Sequence, residues 1–261
     1  MLKKRLRASL ATARLCLKES MYFGFFNLLA QYLLQAGALA ALLMIWRSLA
    51  LQGADLEGMT LRQLYVYTVM STVLAPLLNV RTPISGWLHD GALLGLYQRP
   101  AGIFAQLAAH TAGGWGMRML CLSLPVVVVA ALCGLDLRPA SPWFFLSLPL
   151  AVSQGFAVDF LFACFLIRMK NLEWTVHSLR EALNALLTGA LIPFAALPWR
   201  LGDALQLLPL GTLAGAPLAL YAGLSGPMPL LAAQVFWNLT LWPLALWAFA
   251  ASTERMVSYG G

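Results

Sequence analysis

The chain has 261 residues, of which 61% are hydrophobic and only 10% charged, with a net charge of +7 and a mean hydropathy of +0.76. Soluble domains carry about 25% charged residues, so this composition excludes a soluble enzyme and indicates an integral membrane protein. The basic residues lie mostly beside apolar segments, which makes them a matter of membrane orientation, and no nucleic-acid partner is expected.

Residues 1–20 read as an amphipathic interfacial helix. Leu2, Leu6, Leu10, Ala13 and Leu17 recur at helical spacing, and a basic stripe of Lys3, Arg7, Arg14 and Lys18 runs one residue behind. Such a helix lies flat at an anionic inner leaflet, with membrane lipid as its partner; the alternative is a charge cluster that only sets orientation. It does not read as a cleavable signal peptide, because the basic stretch leads into a segment of spanning length.

Residues 21–261 read as a six-span transmembrane domain of all-α class, with re-entrant helices before the last span. Hydropathy predicts spans from roughly Met21 to Trp46, Leu61 to Leu78, Ala112 to Leu135, Trp143 to Ile167, Ser178 to Leu197 and Pro229 to Ala251, each near the length of about 20 residues that a bilayer core requires. With the amino terminus inside, 12 Lys and Arg residues fall on the cytoplasmic side and 4 on the outer side, with Arg118 in a span. That asymmetry follows the positive-inside rule and puts both termini in the cytoplasm. The four cysteines, Cys16, Cys121, Cys133 and Cys164, show neither C-x-x-C nor a cluster with histidine, so zinc and a disulfide framework are unsupported.

Polar residues enter these apolar segments in a pattern. Asn27, Gln31 and Gln35 recur every fourth residue in the first span, on one helix face. A longer stripe of Glu173, His177, Arg180, Glu181, Asn184 and Thr188 falls on one side of the fifth. Polar groups in hydrocarbon are costly, so these stripes face each other, another subunit or a wet path, unless they serve only as interhelical glue. Asp159 and Arg118 are the charges placed well inside spans; they are candidates to pair, or Arg118 snorkels to the interface.

The stretch Gly189 to Gly223 is apolar but interrupted by Pro193, Pro198, Pro209 and Pro217. A proline inside a helix removes a hydrogen bond and crowds the preceding turn, so these four are expected to stop short helices that dip into the membrane and return. Broken backbone at membrane depth must be covered by protein or line a cavity. There is no G-x-x-x-x-G-K-[ST], H-E-x-x-H or G-x-S-x-G, so neither an ATPase nor an intramembrane hydrolase is expected in this chain.

The order of features resembles a family. A basic amino-terminal helix, six spans, a cytoplasmic loop reading HDGALLGLYQRPAGIFAQ, and G-A-L-I-P-F-x-x-L-P followed by L-L-P-L and A-P-L-A-L-Y-A-G are similar to the membrane subunits of type-2 ABC exporters. Leu96 to Pro100 looks like that family's L-L-x-R-P element, with Tyr97 where an aliphatic residue is more common. The resemblance implies a permease subunit forming half of the translocation pathway in the bacterial inner membrane. Its implied partners are an ATP-binding cassette subunit, which would hold ATP and Mg, and a second permease, identical or related. It also implies that His89, Asp90, Tyr97, Arg99 and Pro100 lie near the ATPase, and that the stripes of the first and fifth spans meet at the dimer interface. Two other classes stay open: an ion-coupled secondary transporter using Asp159, and a membrane scaffold without transport.

Overall fold

The structure, a computed structural model, describes residues 11, 15, 25–53, 59–89, 92–99, 102–168, 173–197 and 201–257. The interfacial helix expected over residues 1–20 lies outside these apart from two positions, and Asp90, Pro100 and Pro198 also lie outside. All regular secondary structure among the described residues is helical, with no strand.

In chain order the helices are α1 (Phe25–Leu51), α2 (Leu61–Leu78), the short α3 (Ile84–His89) and α4 (Ala92–Tyr97), and α5 (Ile103–Arg118). A π segment (Met119–Ser123) joins α5 to α6 (Leu124–Leu132); α7 (Phe144–Arg168), α8 (Glu173–Leu187), α9 (Leu201–Leu207), α10 (Gly211–Ala222) and α11 (Pro227–Val257) follow. Four stretches are long and apolar enough to cross a membrane: Leu29–Leu51, Ile103–Leu132, Phe144–Arg168 and Pro227–Ser252. α9 and α10, bent at 112° to each other, make a fifth if taken as one broken span.

The second predicted segment coincides with α2. Thr60 starts it with a capping box, its Oγ accepting the Gln63 N–H at 3.2 Å while the Gln63 side chain accepts the Thr60 N–H at 2.9 Å. The third predicted segment began too late, because the helix already starts at Ile103. Gln106 and His110 lower the hydropathy there, yet the Gln106 amide is buried and donates to the Leu96 carbonyl at 3.0 Å. The fifth predicted segment is not one helix. α8 ends at Leu187, Gly189 takes a left-handed φ of 71°, and Pro193 precedes a single 3-10 turn over Phe194–Ala196.

α2 is the axis of the bundle. It holds α1 through Trp46 Nε1, which donates to Thr68 Oγ at 3.0 Å, and through Gln35 Nε2, which donates to the Thr72 carbonyl at 3.3 Å. Ser123 in the π segment donates to the Val73 carbonyl at 2.7 Å, and Tyr67 and Ser71 donate to the carbonyls of Gly189 and Ala190 after α8, at 2.6 and 2.5 Å. Apolar packing alone gives helices no preference for one another over lipid, so such bonds fix which faces meet.

Along the seam of α7 and α11, Ser147 bonds Gln234 at 2.9 Å, the Leu150 carbonyl takes Asn238 at 3.1 Å, and Ser153 takes the Trp242 indole at 2.9 Å. α10 is buried at every residue and packs against α2, α7 and α11. A second apolar cluster collects Ile84, Leu93 and Leu96 of α3 and α4 against α5, α7 and α11, centred on Phe104 and Phe160, whose rings meet edge-on at 4.5 Å.

Candidate functional site

α8 is attached to the bundle by polar groups. Val176 is its only buried hydrophobic residue among those described, and Arg180 beside it is buried as well. The Arg180 guanidinium pairs with one oxygen of Asp159 on α7 and donates to the Val80 carbonyl, with the Phe162 ring 5.6 Å away. The other Asp159 oxygen accepts the Thr82 N–H at 3.0 Å and the Thr82 hydroxyl at 2.5 Å. Arg81, between them, turns outward to pair with Glu181, and Asn79 accepts from Asn184 at 3.1 Å. Four consecutive residues after α2 are therefore each tied to α8 or to its counter-ion. Gly155 on α7 makes room for this segment, since a Cβ there would lie 2.7 Å from a Val80 methyl.

This arrangement corrects the expected pairing of Asp159 with Arg118. Asp159 is only 2% exposed and its charge is met by Arg180, whereas Arg118 is exposed at the end of α5. α8 follows α7 in the chain and packs against it, which brings Arg180 to Asp159. A cavity of about 120 Å³ beside the pair is lined by His177, Phe162 and Thr82. Arg180 Nε is buried there with no hydrogen-bond partner.

The polar stripe of α8 thus divides. His177 and Arg180 turn toward Asp159, while Glu181, Asn184 and Thr188 line a larger groove of about 580 Å³. The opposite wall of that groove is α1, which contributes Gln31 and Gln35, and its floor is α2, with Thr68, Ser71 and Thr72. Arg118 and Leu122 close it at the π segment. The two stripes therefore open into one space across α2. The backbones at Asn27, His89 and Glu173 are helical, but their side chains lie outside the described residues. Tyr97 and Arg99 are exposed at the end of α4.

The prolines behave unequally. Pro193 caps the 3-10 turn, and the Pro209 carbonyl, at the bend between α9 and α10, accepts from Gln154 at 2.5 Å and from Thr212 at 3.1 Å. Pro217 does not stop a helix: α10 runs through it, the backbone being enclosed by neighbouring helices. The expectation that all four break helices is corrected at this position.

A set of buried amides was not singled out in the sequence. Gln154 donates to Thr212 Oγ at 2.8 Å, and Gln234 donates to the Thr212 carbonyl at 3.0 Å, both with fully buried side chains. Together with Ser147 they fasten α7, α10 and α11 at one point. A lone glutamine within the 25-residue α7 was the available signal, since an amide in hydrocarbon requires partners.

Among the described residues no group of three His, Cys, Asp or Glu side chains is placed to hold a metal ion. The fold and its apolar helices define the class, an all-helical chain with four to five helices of spanning length, compatible with a multi-pass membrane protein. Beyond that class, comparison with protein-family models, curated proteins and solved structures gives no match.

Proposed function

We propose that the chain is the permease subunit of an ATP-driven exporter, and that the groove bounded by α1, α2 and α8 is its half of the pathway. The observation that carries this reading is the convergence of Gln31 and Gln35 with Glu181, Asn184 and Thr188 on one groove of about 580 Å³. The groove thus gathers amides and a carboxylate of otherwise apolar helices along one face, which suits a wet path through the membrane. In this arrangement α1, α2, α5 with α6, α7, α8 and α11 make six crossings, and α9 with α10 form a re-entrant pair on the outer side. Both termini are then cytoplasmic, the membrane being the bacterial inner membrane.

Coupling follows from the same contacts. α3 and α4 would dock on a separate ATP-binding subunit that holds ATP and Mg, with Tyr97 and Arg99 at that surface. The 79–82 segment joins this loop directly to α8 through Arg180, Glu181 and Asn184. A push on the loop therefore reaches the groove wall through hydrogen bonds and ion pairs, which suits a two-state switch between inward-open and outward-open forms. A second permease, identical or related, would face the groove and complete the path.

The ion-coupled alternative asks more of Asp159. Within the chain Asp159 is already engaged by an ion pair and two hydrogen bonds. Vesicles holding the purified complex test the choice. Solute movement that needs ATP and ignores an imposed ion gradient is expected; movement driven by the gradient alone, and lost in Asp159→Asn, would replace this reading with the secondary transporter.

A further inference from the structure

Arg118 is the last of the 16 residues of α5 and stands near the middle of a 30-residue apolar stretch. Directly after it the helix widens into the π segment Met119–Ser123. The widening has a local cause in Pro125, which has no N–H for the Cys121 carbonyl and whose ring crowds that turn. Such bulges are frequent at functional sites. Here the bulge marks the place where Arg118 meets the groove. Arg81, the other arginine lining it, is held by Glu181, whereas Arg118 has no ion-pair or hydrogen-bond partner among the described residues.

The described lining therefore carries one uncompensated positive charge, Arg81 and Arg118 against Glu181. A guanidinium at this depth is costly unless something meets it. Around it the surface is mixed. Gln35 and Asn184 offer amide groups, while Leu39, Leu42 and Leu122 give an apolar wall. Water alone would meet Arg118 but would leave that wall wet. The geometry points to an anionic amphiphile as the occupant, its phosphate or carboxylate head held by Arg118 and its chain lying along Leu39, Leu42 and Leu122. A planar guanidinium suits this head, because it donates two parallel hydrogen bonds to the oxygens of either group. This assignment rests on the groove being the translocation path and names the class of molecule that path would take.

The test is binding by the full chain, purified in a neutral maltoside detergent and followed by native mass spectrometry. The probes are dilauroyl phosphatidic acid, dilauroyl phosphatidylcholine and inorganic phosphate. The anionic lipid is expected to bind about tenfold more tightly than the zwitterionic one, the size of a single charge-assisted contact, and inorganic phosphate is expected not to displace it. Arg118→Gln should abolish the preference and Arg118→Lys, which keeps the charge but not the paired donors, should keep only part of it, with circular dichroism showing both variants folded.

Equal binding of the two lipids, or a preference that survives Arg118→Gln, would overturn the assignment. Displacement by inorganic phosphate would also overturn it, by showing a simple anion site. So would a tight dimer that excludes both lipids and dissociates on Arg118→Glu, since a second copy would then fill the groove. No ATPase or nucleotide is present in this experiment, so its failure leaves the permease reading standing, and loss of the permease reading would be seen in the transport assay instead.

Discussion

Asp159 and Arg180 are charges that hydrocarbon tolerates only together, and the structure gives the carboxylate three donors and the guanidinium two acceptors. Removing one partner of such a pair strands the other, which costs about 3–5 kcal/mol. Asp159→Asn should therefore lower the thermal midpoint of the detergent-solubilised chain substantially, and adding Arg180→Met should restore much of it. Equal midpoints for Asp159→Asn and the parent would show that the pair holds nothing together. The amide cluster makes a parallel case. Gln154→Leu removes the donor to the Thr212 hydroxyl and leaves the Pro209 carbonyl with Thr212 alone, so a loss of about 1–3 kcal/mol is expected in the same melt. Pro217→Ala should leave the midpoint unchanged or raise it, since α10 already continues through that position.

At the scale of the elements, α8 is a wall of the groove held more by polar contacts than by apolar packing. Val176 is its only buried hydrophobic residue among those described, and the rest of its hold is polar, the Arg180–Asp159 pair on α7 and the row of contacts to residues 79–82. An element held this way opens at lower free energy than one held by a core, which is what a moving wall needs. Gly155→Ala tests the dependence, because the added methyl would push Val80 and its neighbours off α7. Overpacking of this kind costs about 1–3 kcal/mol. Amide hydrogen exchange should speed up in residues 79–82 and in α8 while α10 stays protected; uniform acceleration would mean that the segment is not a separate link.

The sequence made the helices legible where one signal dominated. The apolar run from Leu61 to Leu78 announced α2, and the one from Trp143 to Ile167 announced α7. It was less clear where two signals competed. The apolar residues after Leu187 extended the fifth predicted segment, but Gly189 and Pro193 turn the chain, and the result is a 15-residue amphipathic helix followed by irregular backbone. The stripes on α1 and α8 were visible from spacing alone. Which residues of the α8 stripe turn toward Asp159 and which toward the groove depends on α7 and on the 79–82 segment, and neither is encoded in the period of α8.

At the scale of the whole molecule, the groove, the 79–82 segment and the α3–α4 loop form a continuous series of contacts. In the proposed reading it links an ATPase docking surface to half of a pathway, and the other half belongs to a second permease. The most direct measurement is purification of the tagged chain from its own cell in mild detergent, with mass spectrometry of what accompanies it. A stoichiometric ATP-binding subunit is the predicted result, with loss of that subunit when the exposed Tyr97 and Arg99 are both changed to alanine in a chain that remains folded. A stable chain that moves solute with no ATPase in the preparation would contradict the account.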